Sequence, residues 1–211
     1  MDGVTTMRPA TVHDLPGAFR VCLLTGRSGQ DASPLHGDPD LLGHVWIGPY
    51  LVFPDAVAHV VQDDLGVAGY CVGVPDTTAF EEWLEHEWLP PLRDRYPRGS
   101  GSTDADRALV DRLHQSPRTD AGLLDDHPAH LHVDLLPRLQ GQGWGRRTMA
   151  EVLDGLAQSG ARGVHLGVDE FNTGAQAFYE RLGFSELTRA PGARFYGIRP
   201  SPPTDGGSGT L

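Results

Sequence analysis

The chain of 211 residues contains no lysine, since all 17 of its basic residues are arginines. The absence of lysine excludes a Walker-A phosphate loop, a Schiff-base lysine and any other catalytic lysine. The accompanying bias towards arginine, alanine, glycine and aspartate is typical of a GC-rich bacterial genome.

Cysteine is scarce, and long apolar runs are missing. Cys22 and Cys71 both lie in apolar contexts, which favours buried free thiols in a reducing compartment, although the sequence alone leaves a disulfide open. No apolar run approaches the roughly 18 residues that would indicate a transmembrane helix. The first ten residues lack the basic and apolar regions of a secretory signal. We therefore expect a cytoplasmic protein that does not associate with membranes.

The formal net charge is −11, which argues against nucleic-acid binding because that needs a basic surface. An acidic surface mildly favours a cationic or neutral substrate, but solubility explains it equally well. Hydrophobic residues make up 39% of the chain and charged residues 21%. These values indicate a soluble globular protein, and we expect one domain over residues 1–199.

Hydrophobic periodicity predicts a strand, a helix and a hairpin in the first third of the chain. Thr11 is the predicted N-cap of the helix, with Asp14 three residues later. The predicted ranges are 4–8 for the strand, 14–25 for the helix, 26–40 for a loop and 57–74 for the hairpin.

The middle region, about 76–128, reads as a helical insertion between strands. Helices are predicted over 76–95 and 104–115, followed by a loop over 115–128. The last third is the most regular, with elements predicted in the following order: strand 129–136, a glycine turn, a helix to about 159, strand 163–168, helix 174–182 and two closing strands. Residues 200–211 are predicted to be a disordered tail.

The segment PRLQGQGWGRR (137–147) places a glycine-rich turn between a strand and a helix. Such a turn offers free backbone N–H groups at the positive end of the helix dipole, so a phosphate or pyrophosphate is its natural ligand. The dinucleotide fingerprint G-x-G-x-x-G does not fit, because its third glycine would fall at Arg146.

A different pattern fits this segment, namely Q-x-x-G-x-G at Gln140, Gly143 and Gly145. Downstream follows N-x-x-A-x-x-F-Y-E-x-x-G-F, which begins at Asn172. The order and spacing of the two motifs resemble the GNAT acetyltransferase superfamily over residues 4 to about 199. The opening R-P-A-T-x-x-D is also similar to the start of many GNAT domains.

This resemblance implies an α/β (α+β) fold with a mixed, mostly antiparallel twisted sheet flanked by helices. It also implies acetyl-CoA as co-substrate, with the pyrophosphate on the turn and the pantetheine arm along the preceding strand. The residues implied in binding acetyl-CoA are Val133, Leu135, Gln140, Gly141, Gln142, Gly143, Trp144, Gly145, Arg146, Asn172 and Tyr179.

The implied chemistry is attack of an amine on a thioester. A protonated alkylamine has a pKa of about 10, so a base must assist its deprotonation before the nitrogen can attack. His130, His132 and Asp134 alternate along one strand and share a face. Asp134 is our first candidate base and His132 the second, although either is equally well explained as a structural residue. Tyr179 is the candidate proton donor to the leaving thiolate, with packing as its alternative role.

His127, His130 and His132 also allow a zinc hypothesis, but no fourth ligand is placed, so we expect no metal. A further resemblance links the N-terminal half to the acetyltransferase-like C-terminal domain of O-GlcNAcase and its stand-alone bacterial relatives. The segments that carry it include I-G-P-Y-L (47–51) and W-L-P-P-L-R-D-R-Y (88–96). They suggest an acceptor pocket built from aromatic and carboxylate side chains, with these candidates: Tyr50, Asp76, Trp88 and Asp134.

The sequence therefore predicts an N-acetyltransferase that acts on a small-molecule or peptide amine, as a monomer or a homodimer. The alternative is a module that binds acetyl-CoA without catalysis. A dinucleotide-dependent reductase is a third, weaker hypothesis.

Overall fold

Seven strands form one sheet in the computed structural model, which describes residues 4–200. The strand order is β1-β2-β3-β4-β5-β7-β6, and every neighbouring pair is antiparallel except β4 and β5. The strands are β1 (Thr6–Pro9), β2 (Val57–Asp63), β3 (Gly66–Val74), β4 (Ala129–Leu135), β5 (Val164–Asp169), β6 (Ser185–Ala190) and β7 (Ala193–Ile198). The predicted mixed, mostly antiparallel sheet is confirmed.

Helices cover both faces of this sheet. They are α1 (Leu15–Thr25), α2 (Leu41–Trp46), α3 (Gly48–Val52), α4 (Thr77–Trp83), α5 (Leu89–Arg95), α6 (Asp104–Gln115), α7 (Ala121–Leu124), α8 (Trp144–Gln158) and α9 (Thr173–Arg181). Within the described residues no helix is both long and apolar enough to cross a bilayer.

The central strand β3 separates two hydrophobic cores. Because side chains alternate along a strand, Tyr70 and Val72 enter the core beneath α1 and α6, whereas Cys71 enters the core beneath α8 and α9. All three side chains are fully buried. Both cysteines are buried free thiols, as predicted.

The start of α1 is fixed to β1 by a partly buried ion pair. Arg8 donates two hydrogen bonds to Asp14, at 2.8 and 2.6 Å. Asp14 also accepts the backbone N–H of Thr11 at 2.9 Å, which completes the predicted capping box. The helix proper begins one residue later than predicted, because residues 12–14 form a single 3₁₀ turn.

The segment between β3 and β4 is helical, as predicted, but its details differ. The predicted helix over 76–95 is interrupted by a π-helical turn at Leu84–Trp88, which sequence periodicity does not reveal. The predicted loop over 115–128 contains α7, whose single turn is too short to show a helical period. The predicted disordered tail lies outside the described residues from residue 201 onward.

The sheet opens between β4 and β5. These strands pair in register only at Ala129↔Val164 and His130↔His165. Beyond that point β4 continues to pair with β3, and β5 continues to pair with β7. The two central strands therefore diverge, and the edge of β4 from Leu131 onward faces a cleft.

Candidate active site

A cleft of about 1650 Å³ begins where β4 and β5 separate. Its walls come from α1, α6, the glycine turn, α8, α9 and the β6–β7 hairpin. At one end lie the glycine turn and the start of α8. At the other lie aromatic and charged side chains of the N-terminal half and the insertion.

The glycine turn leaves its backbone donors free. Gly141 and Gly143 have φ angles of +73° and +81°, and a Cβ on either would meet nothing within 4 Å. Gly143 is the N-cap of α8 and offers no side-chain acceptor to the first turn. The backbone N–H of Gln140 donates to the carbonyl of Pro137 at 3.1 Å, and the next N–H of this segment with a backbone acceptor among the described residues is that of Arg147. The N–H groups of residues 141–146 are therefore left without a backbone acceptor, at the positive end of a 15-residue helix.

Side chains around the turn hold it in place. Gln140 donates to the carbonyl of Leu135 at 3.0 Å, and Gln142 donates to the carbonyl of Arg138 at 2.7 Å. Arg138 is itself anchored by Asp63 at 2.6 Å. The two glutamines therefore stabilise the turn through its flanks and leave its N–H groups available.

Gly145 is required for close packing rather than for its φ angle. A Cβ there would lie 3.1 Å from Phe178 and 3.2 Å from Leu135, so even a methyl group would push α8 away from α9 and β4. Arg146 lines the cleft. Arg147 instead lies over the ring of Trp144 at 5.0 Å.

The main chain of β4 offers a second row of backbone groups. Val133 pairs with Cys71 and Leu135 with Gly69 on β3, while the opposite edge has no strand partner beyond His130. An extended ligand with amide groups can pair with this edge as an added strand would. Val133 and Leu135 both line the cleft.

Asn172 and Tyr179 lie on α9, on the far wall. Asn172 caps the helix, since its side-chain oxygen accepts the N–H of Ala175 at 3.1 Å. Tyr179 is 8% exposed and packs against Phe184 and Tyr196, with ring centres 5.8 and 6.2 Å away. Its hydroxyl forms no hydrogen bond with any described residue, and burial raises its pKa, so the phenol that lines the cleft keeps its proton.

His132 and Asp134 form a contact on the cleft face of β4. The Nε2 atom of His132 lies 3.1 Å from Oδ2 of Asp134. The same oxygen accepts the hydroxyl of Tyr70 at 2.5 Å, and the pKa of that phenol is raised by burial first and by the Asp134 charge next. Trp46 stacks against the His132 ring at 6.5 Å. The pair is thus held from two sides.

His130 belongs to a separate chain of hydrogen bonds. The hydroxyl of Thr77 donates to the carbonyl of Pro128 at 2.7 Å and lies 2.7 Å from Nδ1 of His130. Because its proton is used, Thr77 must accept from His130, and the Nε2 atom of His130 must accept from Tyr50, 2.7 Å away. Burial, followed by the neighbouring His165 and His132, lowers the pKa of His130 to about 3. His130 is therefore neutral, and the Tyr50 oxygen is left as an acceptor.

Two of the predicted acceptor residues do not line the cleft. Asp76 caps α4 by accepting the N–H of Ala79 at 3.0 Å. Trp88 stacks on Trp83 at 6.1 Å and donates to the carbonyl of His44 at 2.9 Å. Both side chains organise the insertion, whereas Tyr50 and Asp134 do line the cleft.

Arg112 lines the cleft as well, and sequence reasoning missed it. It lies on α6, and its guanidinium carbon is 4.5 Å from the centre of the Trp46 ring. Its position three residues after Leu109 and one before Leu113, both buried, places it at the border of the inward face of α6. That spacing was the available signal, but Trp46, 66 positions earlier, could not be paired with it from sequence.

The described residues contain no group of three or more side chains suited to a metal ion. The three histidines of the zinc hypothesis either have other partners or do not lie together. His165, beside His130, donates its Nδ1–H to the carbonyl of His127 at 2.8 Å, while His132 contacts Asp134.

Comparison with known proteins gives consistent matches. A model of the acetyltransferase (GNAT) family matches residues 111–184. Protein O-GlcNAcase from Rattus norvegicus and from Mus musculus is 23% identical over 192 residues, covering 90% of this chain. The chain spans 21% of the length of those two proteins.

Solved structures match over nearly the whole chain. SsHAT is 32% identical with a TM-score of 0.83, covering 93% of this chain and 98% of that one. The putative acetyltransferase yncA from Salmonella typhimurium, solved with its cofactor acetyl-CoA, is 14% identical with a TM-score of 0.54. That match covers 93% of this chain and 94% of the other, and it concerns the fold alone.

Proposed function

We propose that this chain, which belongs to the GNAT acetyltransferase family, transfers an acetyl group from acetyl-CoA to the amine of a small molecule or peptide. Family membership supports acetyl transfer in general. One observation carries the more specific proposal. A single cleft is lined by the free N–H groups of the glycine turn, the unpaired edge of β4 and the Tyr179 hydroxyl.

The residues present fit acetyl-CoA. The N–H groups from Gly141 to Arg146 suit a pyrophosphate because each can donate to an oxygen while the helix dipole offsets the negative charge. The β4 edge at Val133 and Leu135 suits the two amides of the pantetheine arm. When bound there, acetyl-CoA supplies an acetyl thioester.

On this proposal Asp134 takes the proton that the amine must lose before its nitrogen attacks the thioester carbonyl. The C–N bond forms, the C–S bond breaks, Tyr179 donates its proton to the departing sulfur, and the second proton that the nitrogen loses replaces the one given up by Tyr179. His132, 3.1 Å from Asp134, is the alternative base. Tyr70 occupies Oδ2 of Asp134, so Oδ1 is the oxygen left to face an amine.

The test begins with calorimetry of acetyl-CoA binding and continues with thiol release across a panel of amines. We expect binding, release that depends on particular amines, and a loss of kcat of at least about 100-fold in Tyr179→Phe with unchanged acetyl-CoA affinity. Tyr196→Phe is the matched control, because Tyr196 lies in the same cluster but donates to Glu180 at 3.2 Å.

Each other outcome has a defined meaning. Absence of binding at millimolar acetyl-CoA rejects the proposal. Tight binding without thiol release across a broad panel favours the non-catalytic module. Equal losses in Tyr179→Phe and Tyr196→Phe reject a proton-donor role for Tyr179.

A further inference from the structure

The acceptor half of the cleft contains carboxylates that already have partners. Asp134 accepts the Tyr70 hydroxyl and contacts His132. Glu81 accepts both the backbone N–H and the hydroxyl of Thr119, at 2.9 and 2.7 Å. The oxygens of these two carboxylates therefore already have partners within the protein.

Asp120 and the nearby Arg118 also have partners within the protein. Asp120 caps α7 by accepting the N–H of Gly122 at 2.9 Å. Arg118 lies 3.6 Å from the Glu81 carboxylate. Each of these charged side chains therefore already has a hydrogen-bond or ionic partner within the protein.

Arg112 is in the opposite situation. Over residues 4–200, its guanidinium forms no ion pair with a carboxylate and no hydrogen bond. It lies over Trp46, and a cation–π contact restrains a guanidinium without cancelling its charge. Its five N–H donors are therefore free, in a cleft of an otherwise acidic protein.

The free guanidinium is connected to the proposed reaction centre by a row of contacts. Arg112 lies 4.5 Å from the Trp46 ring, and that ring lies 6.5 Å from the ring of His132. His132 in turn contacts Asp134. The guanidinium and the base thus lie at the two ends of one row of contacting side chains in the same cleft.

We infer that Arg112 is an anion-binding subsite and that the acceptor is an amine which also carries a compact anionic group, such as the carboxylate of an amino acid. The guanidinium fork matches a carboxylate or phosphate in a bidentate way. This inference rests on the proposed function, since it defines the acceptor of the same site. It differs from the cationic or neutral substrate that the acidic net charge mildly favoured.

The test uses amines in matched pairs that differ only in the anion. These are glycine with glycinamide, β-alanine with β-alaninamide, glycylglycine with glycylglycinamide, and phosphoethanolamine with ethanolamine. The last pair distinguishes a phosphate from a carboxylate. A nearby negative charge favours the protonated amine, so intrinsic reactivity favours the neutral member of each pair.

We expect the wild-type enzyme to prefer the anionic member of at least one pair by about tenfold or more in kcat/KM, as for a hydrogen bond to a charged group. Arg112→Gln should abolish that preference by lowering kcat/KM for the anionic member alone, and Arg112→Lys should restore part of it. Arg107→Gln is the matched control, because Arg107 lies on the same helix but pairs with Asp104.

Two results would overturn the inference. One is equal use of both members of every pair by the wild type. The other is an equal loss for both members in Arg112→Gln, which would mean that Arg112 only supports Trp46.

Calorimetry of the same amines against protein saturated with CoA separates this inference from the proposed function. If no amine is acetylated, Arg112-dependent binding of the anionic members still supports the subsite. If no anionic member binds, or if binding is unchanged in Arg112→Gln, the inference is wrong whether or not acetyl transfer occurs.

Discussion

Gly143 and Gly160 lie at opposite ends of α8 and allow the cofactor turn to be tested against an internal control. Their φ angles are +81° and +85°, and a Cβ on either would meet nothing within 4 Å. An L-residue in this left-handed region costs roughly 1–2 kcal/mol. Both Gly143→Ala and Gly160→Ala should therefore lower the free energy of unfolding by about that amount, which corresponds to a Tm decrease of roughly 2–8 °C in a domain of this size.

The two variants should differ in acetyl-CoA binding. Gly143 lines the cleft, so its new methyl group would occupy space that the proposed pyrophosphate site needs, and any shift of the strained turn would misplace its N–H groups. We expect calorimetry to show a loss of affinity of roughly 5- to 30-fold for Gly143→Ala, equivalent to about 1–2 kcal/mol. Gly160→Ala should bind as tightly as the wild type. Wild-type affinity in Gly143→Ala, together with the expected loss of stability, would refute the placement of the pyrophosphate.

Two further predictions concern stability. The pKa of buried Asp106 is raised by desolvation but lowered more strongly by hydrogen bonds, that from His36 first, to about 2. Because this folded value lies below the unfolded value of about 3.9, Asp106 stabilises the fold above pH 4 or so, by about 2 kcal/mol, and loses this effect as the pH falls towards 2. Urea denaturation between pH 2 and 5 should show an acid-dependent loss that is reduced in Asp106→Asn, and an unchanged profile would contradict the assignment. Tyr50→Phe should destabilise the protein by about 1–3 kcal/mol, because it leaves the buried Nε2 atom of His130 without its donor. Unfolding in urea at pH 7 measures this change, and wild-type stability would mean that another donor replaces the phenol.

The fold was largely predictable because its signals are local. Periodicity placed α6 at its observed limits and β4 to within one residue, and the hairpin of β2 and β3 followed from a polar turn. The π-helical turn and α7 were not predictable, because neither changes the pattern of apolar residues over a window long enough to detect.

The candidate site was also predictable only in part. Motif spacing predicted the turn at residues 140–146, whose function depends on the backbone and on glycine, so residue type carries most of the information. Asp76 and Trp88 were chosen for their chemistry, but the structure uses them for a helix cap and an aromatic stack. Residue type does not reveal which partner a polar or aromatic side chain has found.

The choice of acceptor depends on which charged groups the protein leaves without a partner, and residue type does not give this information. By composition, the acceptor half of the cleft would suit a cation, because Glu81, Asp120 and Asp134 all line it. Each of these carboxylates accepts hydrogen bonds from its own surroundings, whereas Arg112 has only the Trp46 ring. A ligand gains most from groups that lack a partner in the free protein, since groups already paired must exchange one interaction for another. Specificity should therefore follow the Arg112 guanidinium rather than the three carboxylates, and the matched amine pairs measure that difference directly.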